Sequence, residues 1–348
     1  MLKKLIILLI VTRIALFVYT GSVMHFAGNW DGSHYIYISQ HGYTNIGDEA
    51  NFIVFLPLYP AAINIISLIV GNSLLGSILI SNILFIFAGV VFYKLLKQSY
   101  SEKFSFFVVF LMAIFPTSFF FSSSYPESLF VLLFCLSFYL FNKNQTVLSG
   151  MTAGLATLTR PFGILMWPAL AIEAIKSKKM MRIPILITFG VLFISIYLAI
   201  NYFVYNDIFA FQKILRDHWQ KSFAFPWQGI YQSWRVVVLS TKWDEYRIYI
   251  GLAEAIASTV AWIFVPLAFY KKLKIHLSWS VYYLLGVIFF TSTGFILSAP
   301  RYLLSLPPFF LILASILKWK IVRIAWIVIS IALLFYLSGI AAKGQWAF

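Results

Sequence analysis

Acidic side chains are scarce in this chain: 11 Asp and Glu among 348 residues, against 26 Lys and Arg. Charged residues of both signs make up only 11%, and 61% of the chain is hydrophobic. A soluble domain carries about 25% charged residues, so this balance excludes a soluble domain of useful size. Cysteine is nearly absent. The single Cys135 lies inside an apolar run, which excludes an intrachain disulfide and a cysteine-based metal site. No DxD triplet occurs, and the adjacent acids Asp48-Glu49 and Asp244-Glu245 do not converge on one helix face, so no metal site is predicted. A divalent cation bridging an acid and a phosphate stays open as chemistry, but nothing in the sequence calls for it or for another cofactor.

Apolar runs of about 20 residues recur from end to end, each long enough to cross a bilayer. They predict an all-α polytopic membrane protein with eleven spans, at 5–23, 74–93, 104–122, 126–141, 146–160, 161–175, 183–205, 249–270, 277–299, 303–317 and 323–342. The first run follows Lys3 and Lys4 and lacks a small-residue cleavage site, so it reads as an uncleaved span. With a cytoplasmic N-terminus, 16 of the 26 basic residues fall on inner segments, notably 94–103, 176–182 and 271–274. Lys and Arg are retained on the cytoplasmic side, so this pattern sets the orientation in a cell membrane. The net charge of +15 is thereby spent on topology and lipid headgroups rather than on a nucleic-acid partner.

Two outer segments are long, 24–73 and 206–248, while the other connections are short. Long ordered loops are where function concentrates. The whole chain, 1–348, reads as one transmembrane domain built around them. In the first segment Asp31, His34, Tyr35 and Ile38 stand at helical spacing, which predicts a short helix with acid, imidazole and phenol on one face. The apolar run 61–70 is too short to span and reads as an interfacial or re-entrant helix. The second segment alternates Trp and Phe with Lys213, Arg216, Lys221, Arg235, Lys242 and Arg247, a composition suited to a membrane interface.

Trp30-Asp31-x-x-His34-Tyr35-x-x-Ile38-x-x-x-Gly42-Tyr43 resembles the first-loop motif of the GPI mannosyltransferase 2 (PIG-V-like) family, prokaryotic members included. Further pieces follow in order: Phe55-Leu56-Pro57-Leu58-Tyr59-Pro60, Ser124-Tyr125-x-Glu127-Ser128, Thr159-Arg160-Pro161-x-Gly163, Phe209-Ala210-Phe211-Gln212 and Ser298-x-Pro300-Arg301-Tyr302. The resemblance implies a GT-C glycosyltransferase with interfacial helices in its first outer loop. It implies a polyprenyl-phosphate sugar as donor, a glycolipid, glycan or protein as acceptor, and an active site facing away from the cytoplasm. An acid of the first outer loop does the chemistry in that family, which here is Asp31.

Glycosyl transfer needs a base for the acceptor hydroxyl, a cation for the departing phosphate and a groove for lipid. Asp31 is the expected base, with capping of the following helix as the plain alternative. Trp30, His34 and Tyr35 are expected at the sugar, and His34 also reads as an ordinary interfacial residue. Glu127, at the start of a span, is expected to pair with an arginine or to bond the sugar, although the helix dipole alone would favour it there. Arg160 and Arg301 stand beside prolines at outer span ends, where a guanidinium can grip phosphate or snorkel to the interface. Arg235 is a further candidate for the donor phosphate, and Arg247, Lys213 and Lys221 are weaker ones, each of the four reading singly as an interfacial anchor. Arg13, mid-span, is expected to be paired inside the bundle. The expected reaction is transfer of a hexose, mannose by resemblance, with inversion. The rival is a multispan lipid or solute transporter or flippase, whose paired halves with broken helices the sequence does not display.

Overall fold

The computed structural model describes residues 1–21 and 28–347. The expected end of the first span at Val23, and residues 24–27 at the start of the first outer segment, lie outside them. The described residues form helices joined by turns, with one isolated antiparallel bridge between Phe223 and Thr293. Helix α1 (Leu2–Thr20) leads to α2 (Asp31–His41), a 3₁₀ turn at Asp48–Val54 and α3 (Leu58–Val70). Then come α4 (Ser73–Leu96), α5 (Glu102–Ala113), α6 (Glu127–Asn142), α7 (Thr146–Thr157), α8 (Met166–Lys176) and α9 (Ile183–Tyr205). The second long segment holds α10 (Ala210–Asp217) and α11 (Pro226–Leu239). A π-helical stretch at Tyr246–Ala253 runs into α12 (Glu254–Ala268), followed by α13 (Leu277–Thr291), the single turn α14 (Ala299–Tyr302), α15 (Pro307–Ile316) and α16 (Lys320–Ala342).

Four of these stretches are long and apolar enough to cross a membrane: Ser73–Leu96, Met180–Tyr205, Tyr246–Ala268 and Lys320–Ala342. The number rises to six if two bent pairs each count as one, Asp48–Val54 with Leu58–Val70 (111°) and Ala299–Ser305 with Pro307–Ile316 (95°). Each of the eleven expected segments contains helix, but α5, α7 and α8 stop at 12, 12 and 11 residues. At 1.5 Å per residue, 12 residues cover about 18 Å of a hydrocarbon core of about 30 Å. The apolar windows ran on because Ile114, Phe115 and Phe119–Phe121 follow α5, and Phe162, Ile164 and Leu165 follow α7, although the chain at 114–126 and 158–165 makes only short 3₁₀ turns between non-helical residues. Irregular backbone at such depth is tolerated where it is buried in protein or lines a cavity. Here buried hydroxyls help satisfy it: Ser128 Oγ donates to Phe121 O at 2.9 Å, and Ser123 Oγ to Phe119 O at 3.1 Å.

The run 61–70 is the body of α3, 13 residues turned by 111° against the preceding 3₁₀ turn, the geometry of a broken span or of a re-entrant element. Helix α4 packs on α6, α6 on α7 and α7 on α9. Gly150 and Gly154 of α7 face the rings of Phe189 and Phe193 of α9, so a side chain at either glycine would collide with an aromatic ring. Small residues at such spacing let two helices approach closely without a hydrophobic driving force between them.

Among the described residues Arg13 has no acidic partner. Its guanidinium donates to Ala113 O at 2.6 Å and Ser118 O at 2.7 Å, and lies 4.5 Å from the centre of the Phe85 ring. The carbonyls freed where α5 ends carry the negative end of the helix dipole, which suits a cation.

The short basic connections gather at one end of the bundle. Ser99 Oγ lies 2.9 Å from His276 Nε2, Asn142 Nδ2 donates to Gln98 Oε1 at 2.7 Å, and Lys179 Nζ and Arg182 Nη2 both reach Asn144 Oδ1 at 2.8 Å. The two long segments meet elsewhere: Trp219 Nε1 donates to Asn51 O at 3.1 Å. Tyr197 of α9 donates to Ile53 O at 2.9 Å, and Asn64 of α3 to Ser39 O of α2 at 2.7 Å, which fixes the first segment to the bundle.

Candidate active site

Asp31 is the first residue of α2, and Trp30 holds the cap position. Trp30 has φ 52° and ψ −133°, a strained conformation for a side-chain-bearing residue. Its neighbours hold it there: the Trp30 ring packs edge-on against Trp346 with centroids 4.8 Å apart, and Asn29 Nδ2 donates to Ala341 O at 2.9 Å. The chain end thus pins the residues that aim Asp31. The Asp31 carboxylate is taken by Arg301, whose Nη1 donates to Oδ2 at 2.9 Å.

Glu127 opens α6 and is fully buried. It pairs with Arg160, and Arg301 Nε lies 3.5 Å from its Oε1 as an ion pair without a hydrogen bond, so that Glu127 Oε2 and Arg301 Nε are both buried with no hydrogen-bond partner. Two carboxylates and two guanidiniums therefore form one network, Asp31–Arg301–Glu127–Arg160, drawn from four distant parts of the chain. Arg301 is further framed by the rings of Phe120, Tyr125 and Tyr302, at 5.4, 5.2 and 5.8 Å from their centres. Such faces attract a guanidinium without asking for another charge.

Arg301 sits on the four-residue α14, which could not hold a position alone. Glu254, buried at the start of α12, secures it. Its Oε1 accepts from Ser298 N at 2.6 Å and its Oε2 from Ala299 N at 2.7 Å. Ser298 has φ 72°, so this carboxylate clamps a left-handed turn. Glu254 escaped the sequence reading. The available signal was an acid inside an apolar run, which is costly and therefore purposeful.

The network forms one wall of a cavity of about 590 Å³, within the usual range for ligand sites. Asp31, Tyr35, Tyr125, Glu127, Arg160 and Arg301 line its polar end. Phe162, Leu165, Leu285, Ile288 and Phe289 make an apolar side, and Trp219, Lys221, Ser222 and Phe223 of the second long segment contribute too. Of the expected site residues, the structure thus brings together Asp31, Tyr35, Glu127, Arg160 and Arg301. Tyr35 is packed edge-on against Phe55 and Tyr59, and burial pushes its phenol well up.

Three expected residues stand apart. His34 is not among the cavity-lining residues and packs against Phe52, Phe55 and Trp219, with centroids at 4.2, 5.0 and 5.8 Å. Burial lowers its pKa, an effect the Asp31 charge opposes, and its Nδ1 has no partner. Trp30 is half-exposed on Trp346 rather than in the cavity wall. Arg235 lies exposed on α11, outside the cavity wall. Among the described residues no three of His, Cys, Asp and Glu gather as a metal group. The cavity's carboxylates are Asp31 and Glu127, and Arg301 bridges them.

Residues 56–203 match the family described as dolichyl-phosphate-mannose-protein mannosyltransferase. That stretch includes Glu127 and Arg160 but neither Asp31 nor Arg301. The fold is similar to that of the Archaeoglobus fulgidus oligosaccharyltransferase, whose crystal structure was solved with zinc and sulfate. The TM-score is 0.52 and the identity 13%, over 97% of this chain and 52% of that one. This chain spans about half the length of that protein. No curated protein matches it in sequence. Together these findings show a fold shared with that oligosaccharyltransferase and a likeness to a mannosyltransferase family over residues 56–203. The family matched is not the PIG-V-like one that the motifs resemble.

Proposed function

We propose that this protein moves a hexose, mannose by resemblance, from a polyprenyl-phosphate sugar to an acceptor hydroxyl of a glycolipid, glycan or protein. The acceptor O–H gives its proton to the Asp31 carboxylate. The acceptor oxygen attacks the anomeric carbon as the bond to phosphate oxygen breaks, and polyprenyl phosphate leaves with the electron pair. One displacement inverts the centre. Arg301 holds Asp31 in place, and Arg301 and Arg160 lend positive charge to the wall from their paired positions. Tyr35 and Glu127 stand beside the sugar.

One observation carries this reading: a single cavity joins a carboxylate–guanidinium network to an apolar side, so charged and lipid parts of one molecule can both be bound. The gathering of basic connections at the opposite end supports a cytoplasmic N-terminus and an outer-face site in the cell membrane. The helices that stop short cross, in this reading, as helix plus irregular backbone, which keeps eleven crossings.

The test is a donor screen with purified protein in nanodiscs. Polyprenyl-phosphate mannose, and polyprenyl-phosphate glucose in parallel, should yield transfer, and Asp31→Asn should lose about 10²–10⁴-fold of it. Transfer from a nucleotide sugar without polyprenyl phosphate, or an Asp31→Asn variant as fast as wild type, would refute the mechanism.

A further inference from the structure

We infer that Lys221 is the residue that grips the donor phosphate directly, an assignment that deepens the proposed function and rests on it. Three cations line the cavity: Arg160, Arg301 and Lys221. The two arginines are committed to the two carboxylates, Arg160 to Glu127 and Arg301 to Asp31 and Glu127. Moving either guanidinium onto a phosphate would strip a partner from a carboxylate held largely or wholly away from water, and the Arg301 N–H that makes no hydrogen bond, Nε, is buried inside the network 3.5 Å from Glu127 Oε1 rather than turned to the cavity. Breaking a buried pair from one side is among the costlier changes a protein can suffer.

Lys221 is placed differently. Among the described residues no carboxylate pairs with it. Its Nζ donates only to Phe295 O at 3.2 Å and lies 5.8 Å from the centre of the Phe295 ring. An ammonium has three N–H donors, so two stay uncommitted. The backbone around it is fixed rather than loose. Lys221 N donates to Leu215 O at 2.8 Å, Ala224 N to Ser292 O at 3.3 Å, and Phe223 bridges Thr293. Gln220, just before it, is held at φ 53°, a strained conformation that persists where the surroundings impose it. The hydroxyl-bearing Ser222, Ser292 and Thr293 line the cavity with it, beside the apolar Phe223 and Phe289.

Charge agrees. Two carboxylates and three cations line the cavity, and Lys221 is the lining cation with no carboxylate paired to it; Glu254, behind the wall, feels the charges of Lys221 and Arg301, but both its oxygens are held by the amides of Ser298 and Ala299. The phosphodiester of a polyprenyl-phosphate sugar carries one negative charge. Bound at Lys221, the phosphate would lie where hydroxyls meet the apolar side, its lipid on that side and its sugar toward Asp31.

The experiment measures binding of undecaprenyl phosphate, and separately of undecaprenol, to the full chain in phosphatidylcholine nanodiscs. Lys221→Gln should weaken undecaprenyl phosphate roughly 10- to 150-fold, the range for loss of a charged hydrogen bond. It should leave undecaprenol unchanged. Lys221→Arg should restore most of the affinity, and Lys242→Gln, an exposed lysine of the same segment, should bind as wild type. Size-exclusion profiles check that each variant is folded. The assignment fails if Lys221→Gln binds undecaprenyl phosphate as wild type does, and the donor reading then survives. It fails as well if the variant loses undecaprenol to the same degree, which marks packing, or if Lys242→Gln weakens binding equally, which marks diffuse charge. Wild-type protein that prefers undecaprenol, or binds neither, overturns both the assignment and the proposed donor.

Discussion

Arg301 Nη1 donates to Asp31 Oδ2 at 2.9 Å, and the two residues are 270 positions apart. The expected base and an expected phosphate ligand are thus partners before any substrate arrives. The hydrogen bond uses Oδ2 alone and leaves Oδ1 for an acceptor hydroxyl. A guanidinium that holds the base and abuts a second carboxylate has a positioning role as well as an electrostatic one.

Arg301→Ala should therefore damage transfer as Asp31 loss does. Misplacement of a reacting group by about 1 Å can cost 10²-fold. Arg301→Lys should recover only part, because an ammonium cannot reach both carboxylates as a planar fork does. The decisive measurement is kcat/KM for the pair of single variants and for Asp31→Asn/Arg301→Ala. Residues acting as a unit are grossly non-additive, so the double variant should be about as slow as the worse single one. Losses that multiply would show that the two act independently.

Glu127 is wholly buried between two arginines, so Glu127→Gln should unfold the protein more readily rather than leave a mild catalytic defect. One-sided loss of a buried pair costs about 3–5 kcal/mol. The double change Glu127→Gln/Arg160→Met removes a charge from each side and should be less damaging than Glu127→Gln alone. Thermal unfolding in detergent reads both. A Glu127→Gln protein as stable as wild type would mean that the Glu127–Arg160 pair contributes nothing to the fold.

The positions of Asp31, Arg160 and Arg301 were legible in the sequence because charged residues beside Trp or Pro stand out in so apolar a chain. Their mutual pairing was not. It joins positions 31, 127, 160 and 301, and no local pattern carries that information. That the run 61–70 forms a helix too short to span by itself was readable from its length, and the 13-residue α3 agrees. The shortening of α5, α7 and α8 was not, because the phenylalanines of 115–121 and the apolar residues around Arg160 carry the apolar window past the helix ends, and only Pro116, Pro161 and the hydroxyl-bearing residues hint that backbone there leaves the α-helix. The face of α2 was half right. Spacing put His34 beside Asp31 and Tyr35, yet the aromatic trio Phe52, Phe55 and Trp219 draws the imidazole aside.

His34 gives a pH dependence whose sign can be worked out. Burial lowers its pKa below the ordinary 6.5, so the unfolded chain binds the proton more readily than the folded one. Its contribution is complete above about pH 6.5, where the ring is neutral in both states. It is lost as pH falls from there through the lower folded value, since protonation then demands a cation among three aromatic rings. Wild-type melting temperature should drop as pH is lowered from 7 to 5, and His34→Gln should drop less over the same range. Parallel curves for the two proteins would mean that the imidazole does not titrate in this environment.

Glu254 is the residue on which the arrangement of α14 turns. Its two oxygens satisfy the buried amides of Ser298 and Ala299, and Arg301 follows two residues later. Glu254→Ala leaves both amides without a partner, at about 1–3 kcal/mol each, so lowered stability is expected on that ground alone. Glu254→Gln is more telling, because it keeps one acceptor while turning an –NH₂ toward the other amide. It should lower kcat through misplacement of Arg301, with a smaller effect on melting temperature than Glu254→Ala. In an Arg301→Ala background the same change should cost little further activity, since the group it positions is already gone. If Glu254→Gln lowers the melting temperature yet transfers sugar at the wild-type rate, Glu254 only stabilises the fold, and the aim of Arg301 at Asp31 must be fixed by the rings of Phe120, Tyr125 and Tyr302 instead.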